Sequence, residues 1–202
     1  MRNRSSQSVP GSTTAPELLA RACWVLALLT EVYRAGPAAA MAGPLAPFTV
    51  RYAVPPSAAE LLELTAPAAL SQLAELRRVF ETVLLPAVAG RRDMWALGPT
   101  LKGSALMNAD ADLIAAGLLL DLKIRKKLTF GVQDALQVIG YALLDFDDEF
   151  GIEEVGIFAA RHAYLATWDL VSLLGELAGH EVSLQLVRHE FGQLLLRGEL
   201  TR

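Results

Sequence analysis

The stretch that decides the fold is residues 110–123, DADLIAAGLLLDLK. Its two apolar runs flank Ala116-Gly117, and this dipeptide suits a two-residue hairpin turn because glycine adopts a positive φ without strain. A turn centred on that dipeptide places Asp112 opposite Asp121 on the neighbouring strand. The stretch therefore predicts a β-hairpin with two facing carboxylates near its open end.

Charged side chains collect on one side of this hairpin. Side chains alternate between the two faces of a strand, so Asp112 and Asp121 share their side with Asp110 and Lys123. The other side carries only apolar residues: Ala111, Leu113, Ala115, Leu118, Leu120 and Leu122. Converging carboxylates suit a hard divalent cation such as Mg²⁺, which binds one or two of them together with waters and substrate phosphate. The polar outer face of an ordinary half-buried hairpin shows the same pattern, so the hairpin alone leaves both interpretations open.

A helix with two polar residues on one face follows the hairpin. The sequence predicts this helix from about Val132 to Leu144. Gln137 and Tyr141 lie four residues apart and therefore share a face of it. A different face is apolar and is expected to pack on the sheet; it carries Val132, Leu136, Ile139 and Leu143.

The order of these motifs resembles the PD-(D/E)XK nuclease superfamily, in its RecB-like branch. The matching residues are Asp112, then Asp121-Leu122-Lys123, then Gln137 and Tyr141. Each motif alone is common, and their order within one β-turn-β-helix unit makes the combination specific. The resemblance covers roughly residues 75–178 and implies an α/β fold in which helices flank a small mixed central sheet, a restriction-endonuclease-like core with an N-terminal helical extension.

The resemblance also implies an activity and roles for these residues. It implies a metal-dependent nuclease that hydrolyses phosphodiester bonds in DNA, of the kind found in bacterial DNA repair, restriction and phage defence. Asp112 and Asp121 would bind Mg²⁺ or Mn²⁺, which polarises phosphate and lowers the pKa of bound water. Lys123 would position or help to deprotonate the attacking water and stabilise charge at the phosphorus. Gln137 and Tyr141 would support the DNA or the active site.

The match departs from the family pattern at several positions. Ala111 stands where the family name has proline, and Ala109 stands where glycine is usual. Asp110 is an additional carboxylate, which is expected on the ligand face. Many relatives add a glutamate from the first core helix, for which Glu81 is the first candidate and Glu75 the second. Either glutamate also fits an ordinary solvent-facing helix position.

Charge restricts the way in which this chain could bind DNA. The net charge is −4, whereas a protein that binds DNA tightly on its own usually has a basic surface. The acidic balance fits a subunit that takes DNA affinity from a protein partner or from further copies of itself. A local basic run, Arg125-Lys126-Lys127, follows the predicted site and is the candidate phosphate contact. An ordinary solvated loop is the alternative interpretation of this run.

Composition and cysteine content limit the protein class. The chain has 202 residues, of which 53% are hydrophobic and 20% charged, enough for a core in one domain with a helical extension. Cys23 is the only cysteine, which excludes an internal disulfide and favours a reducing cytoplasm. The uncharged segment Ala22–Thr30 is far too short to span a bilayer, so no membrane association is expected.

The organisation along the chain is predicted as follows. Residues 1–15 form a polar, disordered tail, residues 16–74 a helical extension, and residues 75–202 the nuclease-like core with C-terminal helices. Within the extension, Phe48–Val54 alternates weakly and is predicted to be a strand. The acidic run Asp145–Glu149 is expected to be a solvated loop.

Three functions remain as hypotheses. The first is the metal-dependent DNA nuclease. The second is a non-catalytic subunit that keeps the nuclease fold as a scaffold or as a nucleic-acid-binding module in a larger complex. The third is a helical interaction protein in which the motifs are accidental, and absence of the central sheet would favour it. Asp112, Asp121 and Lys123 favour the first, because a scaffold does not need clustered carboxylates beside a lysine.

Overall fold

The computed structural model describes residues 14–49, 55–90, 95–107 and 109–198. The chain divides into two compact units, residues 1–77 and residues 78–202. The sequence predicts the corresponding boundary between residues 74 and 75, three residues earlier.

The described elements of the first unit are all helices. Its helices are α1 Ala15–Ala35, α2 Pro37–Ala42, α3 Ala46–Thr49, α4 Ala58–Glu63 and most of α5 Pro67–Val79. Helix α4 begins with a capping box in which Ser57 Oγ accepts from the backbone N–H of Glu60.

Two predictions for this part of the chain need correction. The tail predicted for residues 1–15 lies outside the described residues up to residue 13, but Thr14 caps α1 and Ala15 begins it. Phe48 and Thr49, the first residues of the predicted strand, lie in α3. Pro47 precedes them and stabilises the first turn of a helix because its φ is already helical. Residues 50–54 of that prediction lie outside the described residues.

A five-stranded mixed sheet organises the second unit, among the residues described there. Its strands are β1 Trp95–Leu97, β2 Leu113–Ala115, β3 Leu118–Lys123, β4 Glu154–Ala159 and β5 Tyr164–Asp169, which lie side by side in this order. β1, β2 and β3 are antiparallel, β4 is parallel to β3, and β5 is antiparallel to β4. The short helix α6, Leu85–Val88, precedes the sheet in the chain. Helix α7, Val132–Leu143, supplies the crossover between the parallel strands. The predicted α/β fold with a mixed central sheet is confirmed.

The predicted hairpin is present in the predicted register. Leu113 pairs with Leu120 and Ala115 pairs with Leu118, so the turn consists of Ala116 and Gly117. Their φ values are +42° and +81°, the combination of a type I′ turn, whose twist matches that of the two strands.

Both faces of the hairpin are buried, which corrects the expectation of one apolar and one polar face. Ile114 and Leu119 lie on the same face as Asp121, and the main apolar core covers them. That core joins the sheet to α7 and to the C-terminal helices α8 Leu170–Ala178 and α9 Leu184–Leu196 through Val138, Ile139, Ala142, Leu143, Val155, Ile157, Leu170, Leu174 and Leu195. On the opposite face, Leu113, Leu118 and Leu120 are buried too. Charge is therefore confined to the open end of the hairpin.

Helix α7 is rotated relative to the face that hydrophobicity predicted. Val132 and Leu136 are 74% and 53% exposed, although they were expected to pack on the sheet. Asp134 and Val138 are buried in their place, while Ile139 and Leu143 are buried as expected. The cause is Asp134, which forms ion pairs with basic side chains of β3 and of the loop that follows β3.

The turn after α7 is partly buried, which corrects the expected solvated loop. The Asp145 carboxylate is buried and accepts from the backbone N–H groups of Glu149 and Phe150. The buried Arg188 of α9 pairs with Asp148 and donates to the carbonyl of Ile152. This network anchors the segment that leads from α7 into β4.

Candidate active site

Lys123, the last residue of β3, lies at the centre of a charged cluster. Its Nζ is 2.6 Å from Oδ2 of Asp121 and donates a 2.7 Å hydrogen bond to Oε1 of Gln137. Oδ1 of Asp134 lies 3.7 Å away on the other side. The Lys123 side chain is only 14% exposed, so these contacts hold the ammonium in one place.

A hydrogen-bonded chain runs from this lysine along α7. Gln137 and Tyr141 lie one helical turn apart, as their spacing predicted, and Gln137 Nε2 donates to Tyr141 Oη at 2.7 Å. Two hydrogen bonds thus connect Lys123, Gln137 and Tyr141 in that order. The structure brings the second and third sequence motifs into direct contact.

Asp121 provides a buried carboxylate with an unusual environment. The residue is 4% exposed, and the Lys123 ammonium is at ion-pair distance from its Oδ2. That ammonium is not aligned for a hydrogen bond, and Oδ2 accepts none from any residue that the structure describes. Buried polar atoms without an aligned donor are uncommon, and here only the charge of Lys123 offsets the desolvation of Oδ2. Oδ2 is therefore a candidate ligand atom.

Asp112 lies at the open end of the same hairpin. It precedes β2 by one residue, and continuation of the β2–β3 register places it opposite Asp121. The Asp112 side chain accepts a 2.7 Å hydrogen bond at Oδ2 from the backbone N–H of Leu122. This bond holds the carboxylate against β3, between the positions of Asp121 and Lys123.

Asp134 is a member of the cluster that the sequence analysis missed. It is buried at the third position of α7 and binds both terminal nitrogens of the Arg125 guanidinium, at 2.6 and 2.8 Å. The backbone N–H of Gly131 donates to the same carboxylate at 3.0 Å. The Arg125 hydrogen bonds, helped by Gly131 and by the Lys123 charge, hold the pKa of Asp134 below its usual value. Its spacing of three residues from Gln137 was a signal that both share a helix face.

The remaining predicted residues lie around this cluster. Arg125 is engaged with Asp134, while Lys126 and Lys127 are exposed in the loop after β3. Asp110 is exposed before β2, and Glu81 is exposed in a π-helical turn, Phe80–Leu84. Within the described ranges, no group of three or more His, Cys, Asp or Glu residues is arranged to hold a metal ion. Asp110 and Glu81 thus do not form such a group with Asp112 and Asp121.

No family model, curated protein or solved structure matches this chain. None of the helices within the described ranges combines the length and the apolar character needed to cross a bilayer. A function has to be inferred from the chain's own residues and their contacts.

Proposed function

We propose that the protein is a metal-dependent DNA nuclease of the PD-(D/E)XK type. The observation that carries this proposal is the direct contact of Asp121, Lys123 and Gln137. The Asp-x-Lys motif at the end of β3 and the Gln-x-x-x-Tyr motif on α7 are separated by a loop, so neither local geometry nor sequence proximity requires them to meet. Their association in one partly buried cluster supports a shared chemical role.

The topology supports the same proposal. Three antiparallel strands, a crossover helix and a fourth strand parallel to the third are the element order expected of this nuclease core. The charged cluster lies where β3 ends and α7 passes over it. Antiparallel pairing of β2 with β3 brings Asp112 to the same end.

The donor set fits a hard divalent cation. Mg²⁺ and Mn²⁺ prefer oxygen ligands, and Mg²⁺ is commonly held by one or two carboxylates together with waters and phosphate oxygens. Asp121 offers a buried oxygen with no aligned donor, and Asp112 offers a carboxylate fixed on the Leu122 amide. Such a cation would polarise the phosphate and lower the pKa of a coordinated water.

Lys123 would stabilise the charge that develops on the phosphate in the transition state. Its ammonium is already oriented by Asp121 and Gln137, so little reorganisation is needed when charge develops. The Gln137 amide is fixed in turn, because its oxygen faces the ammonium and its nitrogen donates to Tyr141. Tyr141 can then direct its own O–H toward a substrate oxygen.

The test is a cleavage assay with Mg²⁺ or Mn²⁺ on linear, circular and single-stranded DNA. Asp121→Asn and Asp112→Asn should each reduce the cleavage rate by on the order of a hundredfold or more. Asp147→Asn is the matched control, because Asp147 is an exposed aspartate that pairs with Lys102 outside the cluster. Equal cleavage by the wild type and Asp121→Asn would contradict the proposal.

One observation favours a non-catalytic nucleic-acid-binding subunit as the second candidate. Lys123 and Arg125 are both paired with buried acids, an arrangement that also serves as a purely structural network. Either candidate would draw on a protein partner or further copies of the chain for DNA affinity, given the net charge of −4. A wild-type protein that binds DNA but never cleaves it, with either metal and with its partners present, would favour this second candidate.

A further inference from the structure

Two large aromatic side chains are exposed on β5, one of the two edge strands of the described sheet. Tyr164 is 47% exposed and Trp168 is 40% exposed. They are four residues apart and therefore lie on the same face of the strand. Exposed aromatic rings at a regular spacing on a sheet edge form a surface suited to ligand binding.

The register of the sheet places these rings on the face that carries the candidate active site. Tyr164 pairs with Ala159, and Ala159 pairs with Lys123. Paired residues of neighbouring strands share a face, so both rings lie on the side of Asp121 and Lys123. Two strand spacings, about 10 Å, separate β5 from β3.

Positive charge lies at the same end of the sheet. Residues 123–130, KIRKKLTF, contain four basic residues and no acid, in a chain whose net charge is negative. Arg161 and His162 are exposed in the turn between β4 and β5. The Phe130 ring packs against Tyr164 with centroids 5.9 Å apart. This contact holds the basic loop after β3 beside the stacking strip, the name used here for Tyr164 and Trp168. This surface is complementary to a phosphate backbone that carries accessible bases.

We infer that Tyr164 and Trp168 bind unpaired nucleotides by stacking and direct the strand toward Lys123. The inference rests on the proposed nuclease function and narrows its substrate class to single strands or frayed ends. A ring can stack only on a base face that is free, and duplex bases cover each other's faces. The two rings are about 13 Å apart along β5, which corresponds to about four nucleotides at the duplex rise.

The test measures binding without cleavage, in EDTA, by fluorescence anisotropy of a labelled oligothymidylate and of a blunt duplex of equal length. Tyr164→Ala and Trp168→Ala should each weaken single-strand binding by about tenfold or more, because one stacked base is lost. Duplex binding should be unchanged. Trp168→Phe should retain most of the single-strand affinity because it keeps a ring. Tyr33→Ala is the matched control, since Tyr33 is an exposed aromatic residue on α1.

Several outcomes would overturn this inference. The first is equal affinity of the wild type for the single strand and the duplex, and the second is no single-strand binding at all. The third is wild-type affinity in both Tyr164→Ala and Trp168→Ala when circular dichroism shows that the variants are folded. The nuclease proposal is judged separately, by cleavage. Ring-dependent binding without cleavage under any metal would retain the stacking strip and reject the nuclease. Cleavage that is insensitive to both ring variants would retain the nuclease and reject the strip.

Discussion

At the scale of single residues, Lys123 shows what alternation along a strand can and cannot predict. Alternation placed Lys123 and Asp121 on the same face, and the structure has them 2.6 Å apart. It also suggested an exposed polar face, whereas α7 covers these side chains. Strand periodicity determines which residues share a face, but burial depends on elements that are distant in sequence. Lys123 is therefore part of the folded core as well as the candidate site.

Removing the lysine charge should destabilise the fold. Lys123→Met leaves the buried Asp121 carboxylate without its cation, and loss of one partner of a buried pair costs about 3 kcal/mol. The double variant Asp121→Asn/Lys123→Met removes both charges and should recover most of that loss. Urea unfolding of the three proteins measures the difference. A double variant less stable than Lys123→Met would show that the pair is not coupled in this way.

Asp134 was missed at the level of sequence because its partner Arg125 approaches through a loop, and its spacing from Gln137 indicated only a shared helix face. The loop between β3 and α7 turns back on the helix N-terminus, and no periodicity predicts that return. The carboxylate resembled an ordinary acid in the first turn of a helix. Only the contacts show that it organises both Arg125 and Lys123.

The stability of the protein should depend on the ionisation of Asp134 in acid. Its hydrogen bonds to Arg125 and Gly131 lower its folded pKa below the unfolded value of about 3.9. The stabilisation is thus present above the unfolded pKa and is lost as the pH falls through the folded pKa, below about pH 4. Asp134→Asn should be less stable than the wild type near neutrality and should lose less further stability on acidification, measured by urea unfolding at each pH.

Asp145 supplies a control of opposite sign for this pH dependence. Burial raises its pKa, against the backbone hydrogen bonds from Phe150 and Glu149 and the charge of Arg188. Asp145 therefore ionises less readily in the folded protein than in the unfolded chain, so its ionisation destabilises the fold as the pH rises. Asp145→Asn should lose more stability on acidification than the wild type does. Identical pH profiles for the Asp134 and Asp145 variants would contradict both assignments.

At the scale of elements, the hairpin was predictable and the orientation of α7 was not. Two apolar runs around Ala116-Gly117 allow one compact turn, and strand alternation then determines the register. The face that α7 presents to the sheet depends instead on Asp134, whose burial is compensated by cations from another element. Hydrophobic periodicity cannot show that compensation, so Val132 and Leu136 were wrongly assigned to the core.

Gly117 should be the most sensitive position of the hairpin turn. Its φ of +81° disfavours any other residue, and an added Cβ would lie 2.7 Å from the carbonyl oxygen of Gly151. Gly117→Ala should cost about 2 kcal/mol or more. Gly140→Ala is the matched control: Gly140 lies inside α7 with open space around it, and alanine should stabilise the helix by about 0.5–1 kcal/mol. Denaturant unfolding that ranks the two variants in the reverse order would reject this explanation.

At the scale of the whole molecule, the sequence predicted the mixed sheet because its connections are short and ordered. A tight turn makes β2 and β3 antiparallel, and a helical crossover makes β3 and β4 parallel. The helical extension was predicted less well, since weak alternation in Phe48–Val54 resembled a strand. The C-terminal helix α9 was predicted as an element, but its role in burying Asp145 through Arg188 depends on long-range packing that no local pattern contains.

Binding of a divalent cation should stabilise the whole protein, independently of any cleavage. A ligand that binds only the folded state adds about 2.7 kcal/mol at a concentration of 100 times its Kd. For a chain of this size such a gain raises Tm by several degrees. Thermal unfolding with increasing Mg²⁺ or Mn²⁺ should therefore shift upward in the wild type. The shift should be lost in Asp121→Asn and Asp112→Asn and retained in Asp147→Asn. Equal shifts in all four proteins would place the cation outside the proposed pair, which consists of Asp121, whose Oδ2 is buried, and Asp112, whose Oδ2 is held by the Leu122 amide.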